Sequence, residues 1–136
     1  MAAQIPEAYR NLLEGPVVVG LVTIMPDGQP QVTPVWCTYD GTHVLVNTAR
    51  GRQKDQNMRN NPKVAVLAID PQNPYRYLEV RGVVEEEDEA GGLDMINRLS
   101  ELYTGERDYY ARNPQMRGQE QRVTFKIRPT HVVTSG

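Results

Sequence analysis

Apolar positions along the first third of the chain fall in short β-rich runs separated by turn residues, the signature of strands joined in succession. "VVVGLVTI" (17–24) is apolar on both faces and predicts a buried strand. The turn "MPDGQP", with Asp27-Gly28 as its hairpin signal, leads into a second strand, "QVTPVWCTY" (31–39). Pro34 donates no ladder hydrogen bond, so it marks a bulge or an unpaired edge. A second tight turn, "DGT", precedes a third strand, "HVLVNT" (43–48), completing an antiparallel meander. "KVAVLAID" (63–70) is a fourth strand, and "YRYLEVRGVVEE" (75–86) a fifth. There Leu78, Val80 and Val84 share one face, with Tyr77, Glu79 and Arg81 on the other. "RVTFKIRP" (122–129) is a sixth, with Val123, Phe125 and Ile127 inward and "THVVTSG" as its extension.

Helical spacing appears in three places. "PEAYRNLLE" (6–14) is stopped by Gly15-Pro16, and residues 52–61 form a short helix closed by Asn61-Pro62. In 88–105, Leu93, Ile96, Leu99 and Leu102 recur at three-residue steps, with Tyr103 extending the stripe of an amphipathic helix. The acidic run "EEEDE" (85–89) leads into it, where negative charge suits the helix dipole. "ERDYYARNPQMRGQEQ" (106–121) is polar, with a helical turn and a mobile loop. Six antiparallel strands with one substantial helix before the last predict a mainly β protein closed into a small barrel.

With 136 residues, the chain is a single domain, 1–136, and a homodimer would add burial to its one core. The net charge of −2 gives no general attraction to nucleic acid or to anionic membranes. No stretch approaches the roughly 18 apolar residues of a bilayer span. The N-terminus lacks the basic and long apolar segments of a leader, so a cytoplasmic location is expected. Cys37, the one cysteine, permits no internal disulfide and reads as a packing residue. His43 and His131 are far apart and offer no metal-ligand pattern.

One segment departs from the acidic balance. "NTARGRQKDQNMRNNP" (47–62) carries Arg50, Arg52, Lys54 and Arg59 against Asp55. In extended geometry Thr48, Arg50, Arg52 and Lys54 share a face, and the following helix aims its N-terminal amides the same way. Hydroxyl, guanidinium, ammonium and free N–H are what a phosphate needs. The alternative is a solvated basic loop. With no self-contained acid-base or nucleophilic group in view, redox chemistry would come from a phosphate-bearing cofactor. "TPVW" (33–36), one strand away, offers an apolar wall for its ring, or else Trp36 is simply core.

The strand order, "TPVW", the basic segment, "NPYRYLEVRG" and the closing "RVTFKIRPTHVV" resemble the pyridoxamine-phosphate-oxidase-like flavin and deazaflavin proteins. Within them, the pattern is most similar to the branch of F420-dependent oxidoreductases. The resemblance implies a six-stranded split β-barrel homodimer with one or two peripheral helices and a cofactor in each groove between protomers. It implies coenzyme F420, or FMN as the alternative, and a small-molecule acceptor. Thr48 and Lys54 match the family's phosphate-contacting residues, and Arg52 an arginine of the deazaflavin branch. Gln53 stands where true oxidases carry a basic residue. Thr33, Pro34, Val35 and Trp36 match the strand beside the ring, and Glu79 falls where oxidases present a glutamine. Arg50 belongs to the candidate set through the spacing above. True oxidases have an arginine near the position of Thr33 and end in an Arg/His clamp, which "THVVTSG" lacks, so the vitamin B6 reaction is not expected. Rival expectations are an FMN-dependent oxidoreductase and a cofactor- or tetrapyrrole-binding protein without turnover.

Overall fold

The computed structural model describes residues 2–136. Among them the strands are β1 (Val19–Ile24), β2 (Pro30–Val35), β3 (Cys37–Tyr39), β4 (Val44–Ala49), β5 (Lys63–Asp70), β6 (Asn73–Asp88) and β7 (Arg122–Ser135). All belong to one antiparallel sheet ordered β2-β1-β5-β6-β7-β4-β3. Three α-helices flank it: α1 (Asn11–Glu14), α2 (Gln53–Asn60) and α3 (Gly92–Thr104).

The expected count of six strands becomes seven because "QVTPVWCTY" is not one strand. Trp36 interrupts it. The half before Trp36 pairs with β1, with Pro34 opposite Gly20, and the half after it pairs with β4, with Cys37 opposite Val46. These halves are the two edges of the sheet, so Trp36 is the corner at which the sheet curls back on itself. Pro34 lies on an edge strand, as its missing donor requires. The meander therefore breaks at its middle, and β4 finds its long partner in β7.

Inside the curl lie Leu13, Leu21, Val66, Leu78, Val80 and Phe125, each fully or almost fully buried. Beyond Asp40-Gly41, β4 is buried at every position and β7 at its first four, so the expected alternation of "RVTF" is lost. The reason is α3, whose first turn lies directly on β7: a Cβ on Gly92 would stand 2.1 Å from the Arg122 carbonyl oxygen. On α3 only the centre of the predicted stripe, Ile96 and Leu99, is buried; Leu93 and Leu102 are exposed. The acidic run does not open the helix either. Residues 85–88 stay in β6, held by cations across the sheet: Arg128 on Glu85, Lys126 on Glu86 and Arg50 on Glu87. Among the described residues, no helix is long and apolar enough to cross a membrane.

Candidate functional site

A cleft of about 300 Å³ opens where β4 ends, lined by Pro34, Val35 and Trp36 on one side and Thr48, Arg52 and Lys54 on another. Asn47, Ile96, Tyr109 and Arg122 complete much of its wall. The sheet explains the convergence. The corner at Trp36 sets the end of β2 near β4, and the turn after Ala49 swings α2 toward the same space.

The apolar wall is rigid. Trp36 stacks on Tyr103 with ring centroids 5.2 Å apart and planes at 16°, and meets Tyr109 edge-on at 6.1 Å. The Tyr103 hydroxyl donates its one proton to the Val17 carbonyl at 2.7 Å, with the Cys37 carbonyl a second acceptor within reach at 3.1 Å, and accepts from the Cys37 amide at 3.0 Å, pinning the corner from both sides. Burial pushes its pKa up from the ordinary phenol value. Burial likewise pushes the Cys37 thiol up to about 12, which makes it inert as a nucleophile.

The polar end carries positive charge that lacks a full set of counterions. Lys54 is half-buried, and burial, followed by the charges of Arg52 and Arg122, holds its pKa below the ordinary lysine value. Arg122 is almost fully buried, donating to Asn47 Oδ1 at 2.9 Å and to Glu120 at 3.2 Å, with its guanidinium over the Tyr109 ring. Arg52 reaches the other oxygen of Glu120 at 2.9 Å. Burial opposes ionisation of Glu120, but the Tyr110 hydroxyl and the two arginines outweigh it and hold its carboxyl below the usual range. Among the described residues, Thr48 Oγ1 is the buried side-chain polar atom with no hydrogen-bond partner.

Six expected residues thus meet in one cleft: Pro34, Val35, Trp36, Thr48, Arg52 and Lys54. Four do not. Extended alternation ends at Ala49, and the turn at Gly51, with φ of +93°, rotates Arg50 away. Its guanidinium binds Asp55 at 2.8 Å, Glu87 at 2.7 Å and Glu89 at 3.2 Å. Gln53 donates to Asn57 at 2.7 Å; Asn57, itself buried, ties α2 to Thr23 and Gln31. Thr33 lies on β2 opposite Leu21, short of the cleft. Glu79 pairs with Arg81 at 2.8 Å, and neither lines the cleft. Three tyrosines could donate a proton to a reduced product, and the structure separates them: Tyr109 lines the cleft, while Tyr110 is committed to Glu120 and Tyr77 sits in β6.

Arg122 and Asn47, which also line the cleft, carried no candidate role in the sequence. One signal was present for Arg122: a cation opening the alternating run "RVTFKIRP"; the structure sets it opposite Ala49 at the end of β4.

A seven-stranded antiparallel sheet curled at a tryptophan corner, with a cation-ended cleft where its two edges approach, defines the split β-barrel class. The chain belongs to the pyridoxamine 5'-phosphate oxidase family, whose model matches residues 5–136. It is similar to a solved structure described as an F420 reductase, at 38% identity over 95% of this chain and 98% of that one, with a TM-score of 0.80. A conserved hypothetical protein from Mycobacterium tuberculosis is 26% identical over 96% of this chain and 84% of its own, with a TM-score of 0.70. General stress protein 26 of Bacillus anthracis shares the fold, at 19% identity over 92% and 88% of the two chains and a TM-score of 0.63. No curated protein matches the sequence. Family membership sets the chain among oxidoreductases that use flavin-type cofactors.

Proposed function

We propose that the protein is an F420-dependent reductase acting on a small organic acceptor. The observation that carries this reading is the buried, unpartnered Thr48 hydroxyl beside Lys54, whose neighbours Arg52 and Arg122 add charge of the same sign. Leaving a buried hydroxyl unsatisfied costs about 1–3 kcal/mol, and a phosphate oxygen at this point would remove that cost. The residues therefore fit a phosphate-bearing cofactor. The likeness to an F420 reductase at 38% identity favours the deazaflavin over FMN. FMN, sharing the phosphate and ring framework, is the second reading.

When bound, F420 supplies a hydride to the acceptor. The chain's own residues bind and orient. Lys54 and Thr48 would hold the phosphate by a charge-assisted and a neutral hydrogen bond, with Arg52 and Arg122 adding positive field. Pro34, Val35 and Trp36 form the flat apolar wall, with Trp36 kept in place by Tyr103. Ile96, Leu99 and Tyr109 keep water from the apolar end.

We also propose a homodimer. Val18, Val32, Leu67 and Ile69 are exposed at 54, 67, 39 and 45%. By register they share the outer face of β2-β1-β5, where Val32 lies opposite Val22, and Gly20 opposite both Pro34 and Leu67. Val18 and Pro34 also line the cleft, so a second copy seated on this face would border its mouth.

Titration of the purified protein with F420 and with FMN tests the reading. F420 binds more tightly than FMN, and Lys54→Ala weakens F420 by about 1.5–3 kcal/mol, a factor of roughly ten or more. Equal affinity of parent and variant for F420 would sink the phosphate placement; tighter FMN binding would turn the reading to the flavin.

A further inference from the structure

A second cavity, of about 310 Å³, adjoins the first and shares Trp36, Arg52 and Tyr109 with it as a common partition. Its remaining wall comes from the end of α3 and the segment before β7, including Ser100, Tyr110, Arg112, Met116 and Glu120. Nothing in the reading above uses it. We infer that this chamber seats the acceptor, and that the acceptor is a flat, conjugated monocarboxylate whose ring lies along the Trp36–Tyr109 partition and whose carboxylate meets Arg112. This rests on the hydride-transfer reading of the neighbouring cleft.

The shape of the ligand follows from the partition. Trp36 is fixed between Tyr103, stacked at 16°, and the edge of Tyr109, and Tyr109 in turn packs edge-on against Tyr110 at 5.0 Å. Rigid aromatic faces, with Met116 alongside, favour a planar π-system over a branched aliphatic one.

The charge of the ligand follows from an inventory of the wall. Glu120 is spent: its two oxygens take Arg52, Arg122 and the Tyr110 hydroxyl. Arg112 closes the 3₁₀ turn Tyr109–Arg112 and, among the described residues, has no carboxylate at ion-pair distance. Exposed at the rim of the chamber, its guanidinium is the donor fork left over, and a carboxylate matches it in a bidentate manner. Glu106 is the opposing charge in the wall; its Oε1 accepts only from the Asp108 amide, at 3.1 Å. One carboxylate on the ligand is therefore accommodated, and a second would meet Glu106.

Conjugation follows from the chemistry. An electron-poor C=C accepts the hydride at one carbon and a proton from water at the other. The acceptor gains the two electrons that the reduced cofactor loses. The two cavities adjoin at Trp36, Arg52 and Tyr109, so an acceptor anchored at Arg112 would have to extend past these shared side chains to bring its C=C to the first cleft.

Isothermal titration of the full chain with trans-cinnamate and with its neutral isostere trans-cinnamamide tests this, with and without F420. Cinnamate binds at least about tenfold more tightly than the amide, and Arg112→Gln removes that advantage, since Arg112 supplies the charge-assisted pair. In the arm without F420, Lys54→Ala leaves cinnamate affinity within about twofold, because the two anion sites are separate. Equal binding of acid and amide, no binding of either, or no effect of Arg112→Gln would overturn the proposal. So would loss of cinnamate binding in Lys54→Ala, which would put the carboxylate in the phosphate end of the first cleft. Failure of F420 to bind would overturn the reductase reading while leaving these cinnamate outcomes as they stand.

Discussion

At Thr48 the protein carries a small built-in cost: a hydroxyl almost fully buried in β4 with nothing to bond. Thr48→Val keeps the shape and removes the stranded group. The free protein should gain about 1 kcal/mol, a rise of a few degrees in Tm, while F420 affinity falls. A variant that loses both stability and affinity would mean that Thr48 serves packing rather than a ligand. Lys54 has a related signature. Its ammonium is disfavoured by burial and by two arginines, so its pKa lies below 10.5. The free protein therefore gains stability as pH rises through that depressed value, because the strained charge is released. A bound phosphate favours the ammonium, so F420 affinity should fall over the same interval, beginning below pH 10.5. Lys54→Arg, which stays charged, should bind evenly across that range in the same titration.

The elements hold these side chains through close contacts. Gly92 lets α3 lie on β7 at a separation that no side chain would allow, since a Cβ there would meet the Arg122 backbone at 2.1–2.4 Å. Its carbonyl accepts from Asn47 Nδ2 at 2.8 Å, and Asn47 in turn receives Arg122. Gly92→Ala should cost about 1–3 kcal/mol by overpacking and loosen Arg122 from its place. Thermal unfolding together with F420 affinity checks both. An unchanged Tm would show that α3 shifts freely and does not fix the cleft. The short helix α2 is held just as firmly: Asp55, fully buried, accepts from the Gly51 amide at 2.9 Å and from Arg50, while Asn57 bonds across to β1 and β2. That is why Arg50, a candidate by spacing, and Gln53, a candidate through the resemblance, serve as fasteners for the residues that do face the cleft.

For the whole molecule, the outer face of β2-β1-β5 gathers four exposed apolar side chains, Val18, Val32, Leu67 and Ile69. Leu67 stands on it in β5, paired with Gly20 on one side and Glu79 on the other. Leu67→Asp should convert a dimer to a monomer in sedimentation velocity and weaken F420 binding, since burying an unpaired carboxylate in an apolar contact is unfavourable. A parent protein that sediments as a monomer would remove the dimer proposal outright.

What the sequence determined by itself was local. The Asp-Gly turns, the alternating and doubly apolar runs, and the three-residue repeat of α3 encode period and chain reversal within a few residues, so the strands and helices stand close to where they were expected. The residues of "TPVW" and "TARGRQK" were likewise legible as candidate ring wall and basic cluster, because residue type alone suggests that chemistry. Tertiary structure decided the rest. It made one strand into two at Trp36, since only curling the sheet shows that a chain can leave one edge and join the other. It sorted the cations, turning Arg50 toward the acids of β6 and bringing in Arg122 from about 70 residues away, because ion pairing acts through space and is blind to sequence separation.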